Sequence, residues 1–341
     1  MNLLPAIAHK ICLVFLPRSG YTGSTQCVLL SPLFLAEIPQ VQAFQTGLRR
    51  RLGVRRVLAL ATERRLICCW QHKSLWCWRS VDWPPDACRD GMPMQREAMS
   101  EALEELLFDS DVVGARLELL LPVDGVYWRV LEGVSADVFD SDASSAALSN
   151  GLDWPLDPLE SYVTATPCAD AVVAVGVRRT MLQAWIDVVE QADLPLQRVD
   201  WLVSCAQRCL HHLSSGWTGD VAWLFPHGSA VRLVLIHDGV PEVDQTFARD
   251  GIASDALISE IRRSVSAWQI LMNRSVPLGW WLSFPESHNQ TFMPLIDAAR
   301  QDCLLNQPFA WNPAPWGEDS GDDPLEPLEQ LALFGMLVEI H

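Results

Sequence analysis

Apolar and polar positions along this chain alternate with two periods, one suited to strands and one to helices. Residues 54–61, 66–72 and 74–82 are short runs rich in β-branched, aromatic and cysteine side chains, joined by tight turns. They predict three consecutive strands. A loop follows from Trp83-Pro84-Pro85 to Pro93, and residues 95–109 predict a helix with Ala98, Leu103, Leu106 and Leu107 as its apolar positions. A strand over 116–121 stops at Pro122, and a short helix over 142–150 is closed by Gly151. Residues 171–177 form an unbroken apolar strand of the kind found in a sheet covered on both faces. A helix over 178–192, a strand over 198–202 and a helix over 204–213 complete this series.

A second series starts at Asp220. Strands over 221–225, 230–237 and 242–247 follow in meander order, with His237-Asp238-Gly239 as a turn. A long helix over 254–272, a strand over 279–284, a helix over 290–301 and a short strand over 303–305 come next. A loop rich in Pro, Trp and acidic residues over 306–323 leads to a closing helix over 325–340. The order of three strands, helix, strand, helix thus occurs twice, without any repeat of sequence. Residues 1–53 stand apart, with strands over 11–16 and 26–30, a Gly/Ser/Thr loop over 19–25 and a helix over 33–51. That block fits no fold we can name from its pattern.

Composition bounds the partners. The chain has 341 residues, of which 49% are hydrophobic and 20% charged, enough for two packed lobes and too apolar for disorder. The formal charge of −17 argues against a phosphate-neutralising surface and hence against nucleic acid. One region departs from that balance: Arg49, Arg50, Arg51, Arg55, Arg56, Arg64 and Arg65 are either a solvated basic face or a patch for a partner or an anionic leaflet. The longest apolar runs fall well short of the roughly 20 residues that span a bilayer, and the N-terminus lacks the long apolar stretch and cleavage site of a secretory signal. Ten cysteines include no CxxC pair. Cys205 and Cys209, four apart with His211 and His212 beside them, have zinc-like spacing, but a helix burying small reduced thiols is the commoner reading. No metal and no cofactor is expected.

With the elements in place, the residues resemble the PilM-type assembly proteins of type IV pili. The strand DAVVAVGVRR (170–179) and the stretch WIDVVEQADLPLQRVD (185–200) match that pattern, and the helix after them carries its Ala206 and Arg208. LISEIRRS (257–264) resembles the family's helix after the second meander, and Arg89-Asp90-Gly91 its turn before the first helix. Leu121-Pro122, LDWPLDPLE (152–160) and LALFGML (331–337) also resemble family segments in the right order. The likeness covers about residues 54–341 and extends to MshI, HofM and the cytoplasmic domain of GspL. It implies an α/β, actin-like (ribonuclease H-like) two-lobe fold with mixed five-stranded sheets. The first lobe would take residues 54–215, with a small inserted subdomain at about 129–165, and the second lobe residues 216–341.

Proteins of that fold bind phosphate at a hairpin turn in each lobe, where glycine lets backbone N–H groups approach and an aspartate handles magnesium or water. Here the first turn's Asp and Gly positions fall near Ala59 and Ala61, and the second turn's fall at Leu224 and Pro226, which has no N–H. The adenine-side turn carries Phe284 where the family has a glycine. Ser19–Thr25 is the remaining Gly-rich loop, and it lacks the lysine and spacing of a phosphate loop. The expectation is therefore a degenerate site without ATPase activity.

The resemblance implies a non-catalytic cytoplasmic scaffold at the inner face of a bacterial inner membrane. It would bind the N-terminal tail of a PilN-like membrane protein and link it to the pilus motor ATPase or platform protein, in a homo-oligomeric ring. The tail groove would involve Trp128, Leu152, Trp154 and Leu156, for each of which core packing is the equal alternative. PilN tails resemble INLLP, and this chain itself begins Met1-Asn2-Leu3-Leu4-Pro5, so its extension is a competitor for that groove. Two alternatives stay open: a GspL-like adaptor of type II secretion, and an actin-like ATPase with displaced motifs. An end at His341, directly after the closing helix, favours the PilM type over a GspL chain that continues into a membrane helix.

Overall fold

The computed structural model describes residues 56–72, 75–112, 114–134, 154–168, 171–248, 255–274, 276–305 and 324–337. The elements expected at 11–16, 26–30, 33–51 and 142–150, and the loop at 306–323, lie outside the described residues.

The first lobe is built on β1 (Arg56–Ala61), β2 (Arg65–His72) and β3 (Leu75–Asp82), a meander whose ladder pairs Ala59 with Cys68 and Cys69 with Trp78. A two-strand ribbon, β4 (Cys88–Arg89) and β5 (Met92–Pro93), turns through Asp90 and Gly91, both at positive φ. Helix α1 (Arg96–Asp109) then leads to β6 (Arg116–Leu121), which runs parallel to β1. The chain next makes a separate three-stranded sheet from β7 (Val126–Glu132), β8 (Ser161–Cys168) and β9 (Ala171–Arg178), with β9 in the middle. Helix α2 (Arg179–Gln191), β10 (Leu196–Trp201) and α3 (Leu202–Leu213) return it to the main sheet, whose order is β10-β6-β1-β2-β3.

The second lobe repeats this plan. Strands β11 (Asp220–His227), β12 (Ala230–His237) and β13 (Val240–Ala248) form the meander, and α4 (Asp255–Leu271) packs across it. Strand β14 (Leu278–Leu282), helix α5 (Glu286–Phe292), β15 (Cys303–Leu304) and α6 (Pro327–Leu337) complete it, with sheet order β13-β12-β11-β14-β15. The two orders correspond strand for strand, so the doubled order read from the sequence is a doubled topology. One element differs from expectation. The helix expected over 290–301 is α5 followed by two 3-10 turns at Met293–Leu295 and Ala298–Arg300. Pro294 explains the break, because it supplies no N–H to continue the α-helical ladder.

The lobes share a core. Along β11, Val221, Trp223 and Phe225 belong to the buried cluster that includes lobe 1, while Ala222 and Leu224 face the separate cluster under α4. That is the period-two alternation of a strand with both faces covered. Helices α3 and α6 cross at Gly335, where an added Cβ would sit 1.7 Å from the Cys205 carbonyl oxygen. Only glycine permits that approach. Around the crossing, Arg208 reaches Asp200 at 2.8 Å, and Arg65 meets Glu329 through two hydrogen bonds of 3.1 and 2.5 Å. Arg56 clasps Glu118 at 2.6 and 3.0 Å and donates to the Met336 carbonyl at 3.2 Å, satisfying a carbonyl in the last turn of α6.

Candidate functional site: the interlobe cleft and the inserted sheet

Because β1, β6 and β10 are parallel, their C-terminal ends lie at one edge of the first sheet; β11 and β14 do the same in the second. Four turns meet there. The β1–β2 turn begins at Thr62, whose hydroxyl donates to the Arg65 carbonyl at 2.9 Å and accepts the backbone N–H groups of Arg64 and Arg65 at 3.3 and 3.0 Å. The amides of Arg64 and Arg65 are thus bonded within the turn. The Trp83 indole N–H donates to the Thr62 carbonyl at 2.9 Å and pins the turn from behind. Ala59 and Ala61 lie before the turn, fully buried in β1.

The β11–β12 turn is made by Gly228 and Ser229, since His227 still pairs with Ala230. Gly228 takes φ +55, the conformation such a two-residue turn requires. Pro226 is in the ladder opposite Val231, and Leu224 points into the core under α4 with no exposed surface. His227 Nε2 is in hydrogen-bond contact with Asp124 Oδ1, so the lobe 2 turn is tied to the loop after β6. That loop is held by the Trp201 indole, which donates to the Pro122 carbonyl at 3.0 Å. The turn after β14 is held likewise: Trp223 donates to the Ser283 hydroxyl at 3.0 Å, and Ser283 N–H bonds the Leu224 carbonyl at 2.8 Å. Phe284 is buried and stacked on Phe292 with centroids 4.6 Å apart.

Between the lobes, several side chains meet. Arg232 forms a two-bond ion pair with Asp244, at 2.7 and 2.5 Å, and its guanidinium lies 5.5 Å from the Trp201 ring and 5.8 Å from the Phe225 ring. The Trp128 indole N–H donates to the same Asp244, and its ring meets Trp201 edge-on at 5.2 Å. Nearby, burial raises the Cys88 thiol to about 12, and the charges of Glu63, Asp124 and Asp90 push it in the same direction. Those three carboxylates therefore each lie within electrostatic reach of Cys88.

The four residues expected to line a tail groove separate. Trp128 faces the interlobe side of the inserted sheet, inside the shared core. Trp154 and Leu156 come together on the opposite face, where they cover Gly176; a Cβ there would lie 2.7 Å from Leu156 and 2.8 Å from Trp154. Leu152 lies outside the described residues. The Trp154 indole nitrogen is buried without a hydrogen-bond partner. Sequence reasoning missed β7 and β8 and with them the sheet that carries this face. It also missed Arg232 and Asp244, whose pairing across β12 and β13 has no signature in spacing. The cysteine pair with zinc-like spacing is buried on α3, where Cys205 Sγ accepts from Arg208 at 2.8 Å. Among the described residues no group of three or more His, Cys, Asp or Glu could hold a metal, and no helix is long and apolar enough to cross a membrane.

Two lobes with matching five-stranded sheets, inner ends facing across four turns, define an actin-like α/β protein. Among solved structures, the chain is similar to one described as the PilM-PilN type IV pilus biogenesis complex, at 15% identity and TM-score 0.58, over 82% of this chain and 96% of that one. It also matches a Bacteroides thetaiotaomicron protein with an actin-like ATPase fold, at 9% identity and TM-score 0.48, over 75% of this chain and 91% of that one. A third match is the cytoplasmic domain of EpsL, an inner-membrane component of the Vibrio cholerae type II secretion system, at 12% identity and TM-score 0.46, over 84% and 95%. No protein-family model matches the chain, and no curated protein does. The resemblance to PilM read from the sequence is thus met by a likeness of fold.

Proposed function

We propose that this chain is a non-catalytic scaffold of a type IV pilus assembly machine, working at the cytoplasmic face of the inner membrane. It grips the N-terminal tail of a PilN-like protein and links it to the motor or platform. The observation that supports the non-catalytic part is the set of side chains between the lobes. The Arg64 and Arg65 amides of the first turn are bonded to Thr62, and the Arg232–Asp244 pair stands with Trp128, Trp201 and Phe225 between the lobes. No aspartate stands at the two turn positions, Ala59 and Leu224, that would handle magnesium.

The fold of the PilM-PilN complex supports the choice of partner. The face holding Trp154 and Leu156 is where we place the tail. The outer edges of β7 and β8 offer backbone groups to an extended peptide. Calorimetric titration with a synthetic PilN-type tail tests this. The expected result is saturable binding that Trp154→Ala weakens by at least tenfold and Phe108→Ala leaves unchanged. No heat with the tail, or equal affinity in Trp154→Ala, contradicts the placement. Retention by a tail from a type II secretion partner instead would favour the GspL-like reading.

A further inference from the structure

Helix α4 has apolar residues on opposite sides. Its inner face buries Leu257, Ile258, Ile261, Val265 and Trp268 against the second sheet. Its outer face begins polar, with Ser259, Glu260 and Arg263 exposed, as a surface helix should. Over the last two turns that changes to Ala267, Ile270 and Leu271, all exposed, with Ile270 at 79% and Leu271 at 82%. Met272 and Val276 continue the patch at 40% and 39%. Of the large apolar side chains standing out from the described residues, these four fall within seven consecutive positions. A groove of about 550 Å³ runs beside them, lined by Ser266, Gln269, Ile270, Asn273 and Arg300 among others. Contiguous apolar surface of this kind marks a contact rather than scatter.

Charge points to what covers it. The chain carries −17, so two copies repel over most of their surface. Around this patch the signs balance: Arg262, Arg263, Arg274 and Arg300 stand with Glu242, Glu260, Asp297 and Asp302. A two-fold contact needs a surface complementary to itself, and a sign-balanced rim around an apolar centre meets that need. An anionic lipid surface would instead be repelled by the chain as a whole.

We propose that two copies of the chain pair through this face, α4 against α4 in antiparallel order about a two-fold axis near Ala267. The small side chain at the crossing lets the helices approach. Ile270 and Leu271 of each copy then cover Ser264 and the aliphatic stem of Arg263 in the other. The inference does not depend on the pilus assignment, and its test reads assembly alone.

Sedimentation velocity of the full chain over a concentration series should show a reversible dimer. The double variant Ile270→Glu, Leu271→Glu should be monomeric throughout, while Phe108→Glu, equally exposed on lobe 1 at 71%, should dimerise like wild type. Ala267→Cys, on an otherwise unaltered surface, should yield a disulfide-linked dimer with oxidised glutathione where wild type does not. That variant keeps the test decisive if the double variant folds poorly. A wild type that stays monomeric, a double variant that still dimerises, or binding of this face to anionic vesicles in place of a second copy would overturn the proposal.

Discussion

The turn joining β1 to β2 and the turn joining β11 to β12 hold equivalent places in two sheets of the same strand order, yet they are shut by different means. In lobe 1 a threonine hydroxyl takes the turn's own amides, and Trp83 holds its carbonyl. In lobe 2 the ladder runs through Pro226 to a two-residue glycine turn, and the closure comes from outside, through His227 to Asp124. The first is local and buried against α6 through Arg65 and Glu329; the second is a link between lobes at a partly exposed site. The difference teaches that equivalent turns in two sheets of one strand order can be held by unrelated contacts, one within the turn and one from the other lobe.

The largest expected effect breaks the lobe 1 anchor. Glu329→Ala removes the carboxylate that faces the buried Arg65 and should cost about 3–5 kcal/mol by urea denaturation. Glu329→Gln should cost less, and its pH dependence is informative. Burial raises the Glu329 carboxyl above its ordinary 4.5, with Arg65 offsetting part of that. The folded state therefore binds this proton more tightly than the unfolded state. The stabilisation it brings is fully present below pH 4.5 and is lost as pH rises through the raised folded value. Stability of wild type relative to Glu329→Gln should fall across that window; a rise would show that Arg65 outweighs burial.

Gly335→Ala should come next, at about 1–3 kcal/mol, because the new methyl meets the Cys205 carbonyl where α3 and α6 cross. A neutral result would mean that the helices slide apart without loss. Thr62→Val removes the hydroxyl that closes the first turn and should cost about 1 kcal/mol. His227→Ala, at a partly exposed contact, should cost about 0.5 kcal/mol or less at neutral pH, measured by thermal unfolding. If these last two were reversed in size, lobe 2 rather than lobe 1 would carry the tighter closure.

Much of this was legible in the chain. The strands at 116–121 and 230–237 fall at the bounds their patterns predict, because apolar runs ending at proline or at an Asp-Gly turn state their own limits. The doubled order of elements was visible as well. What escaped was the inserted sheet: SYVTATPC in β8 is half polar and has a proline at its penultimate position, and VYWRVLE in β7, though bounded by Gly125 and Gly133, was not read as a strand. The helix expected over 290–301 was lost to Pro294. Ala59, Ala61, Leu224, Pro226 and Phe284 were singled out at the turns from the sequence, but the groups that hold those turns were not. Thr62, Trp83 and His227 act through contacts set by the tertiary fold. The tryptophans make the same point: Trp83, Trp185, Trp201 and Trp217 each give an indole N–H to a backbone carbonyl, an arrangement no spacing predicts.

Calorimetric titration of the full chain with Mg-ATP at millimolar concentration tests the closed cleft most directly. The proposed non-catalytic reading predicts no saturable heat, in wild type and equally in Thr62→Gly with Phe284→Gly, which frees two turns and leaves the Arg232–Asp244 pair in place. Saturable binding by wild type, abolished when the turns are altered, would contradict the account.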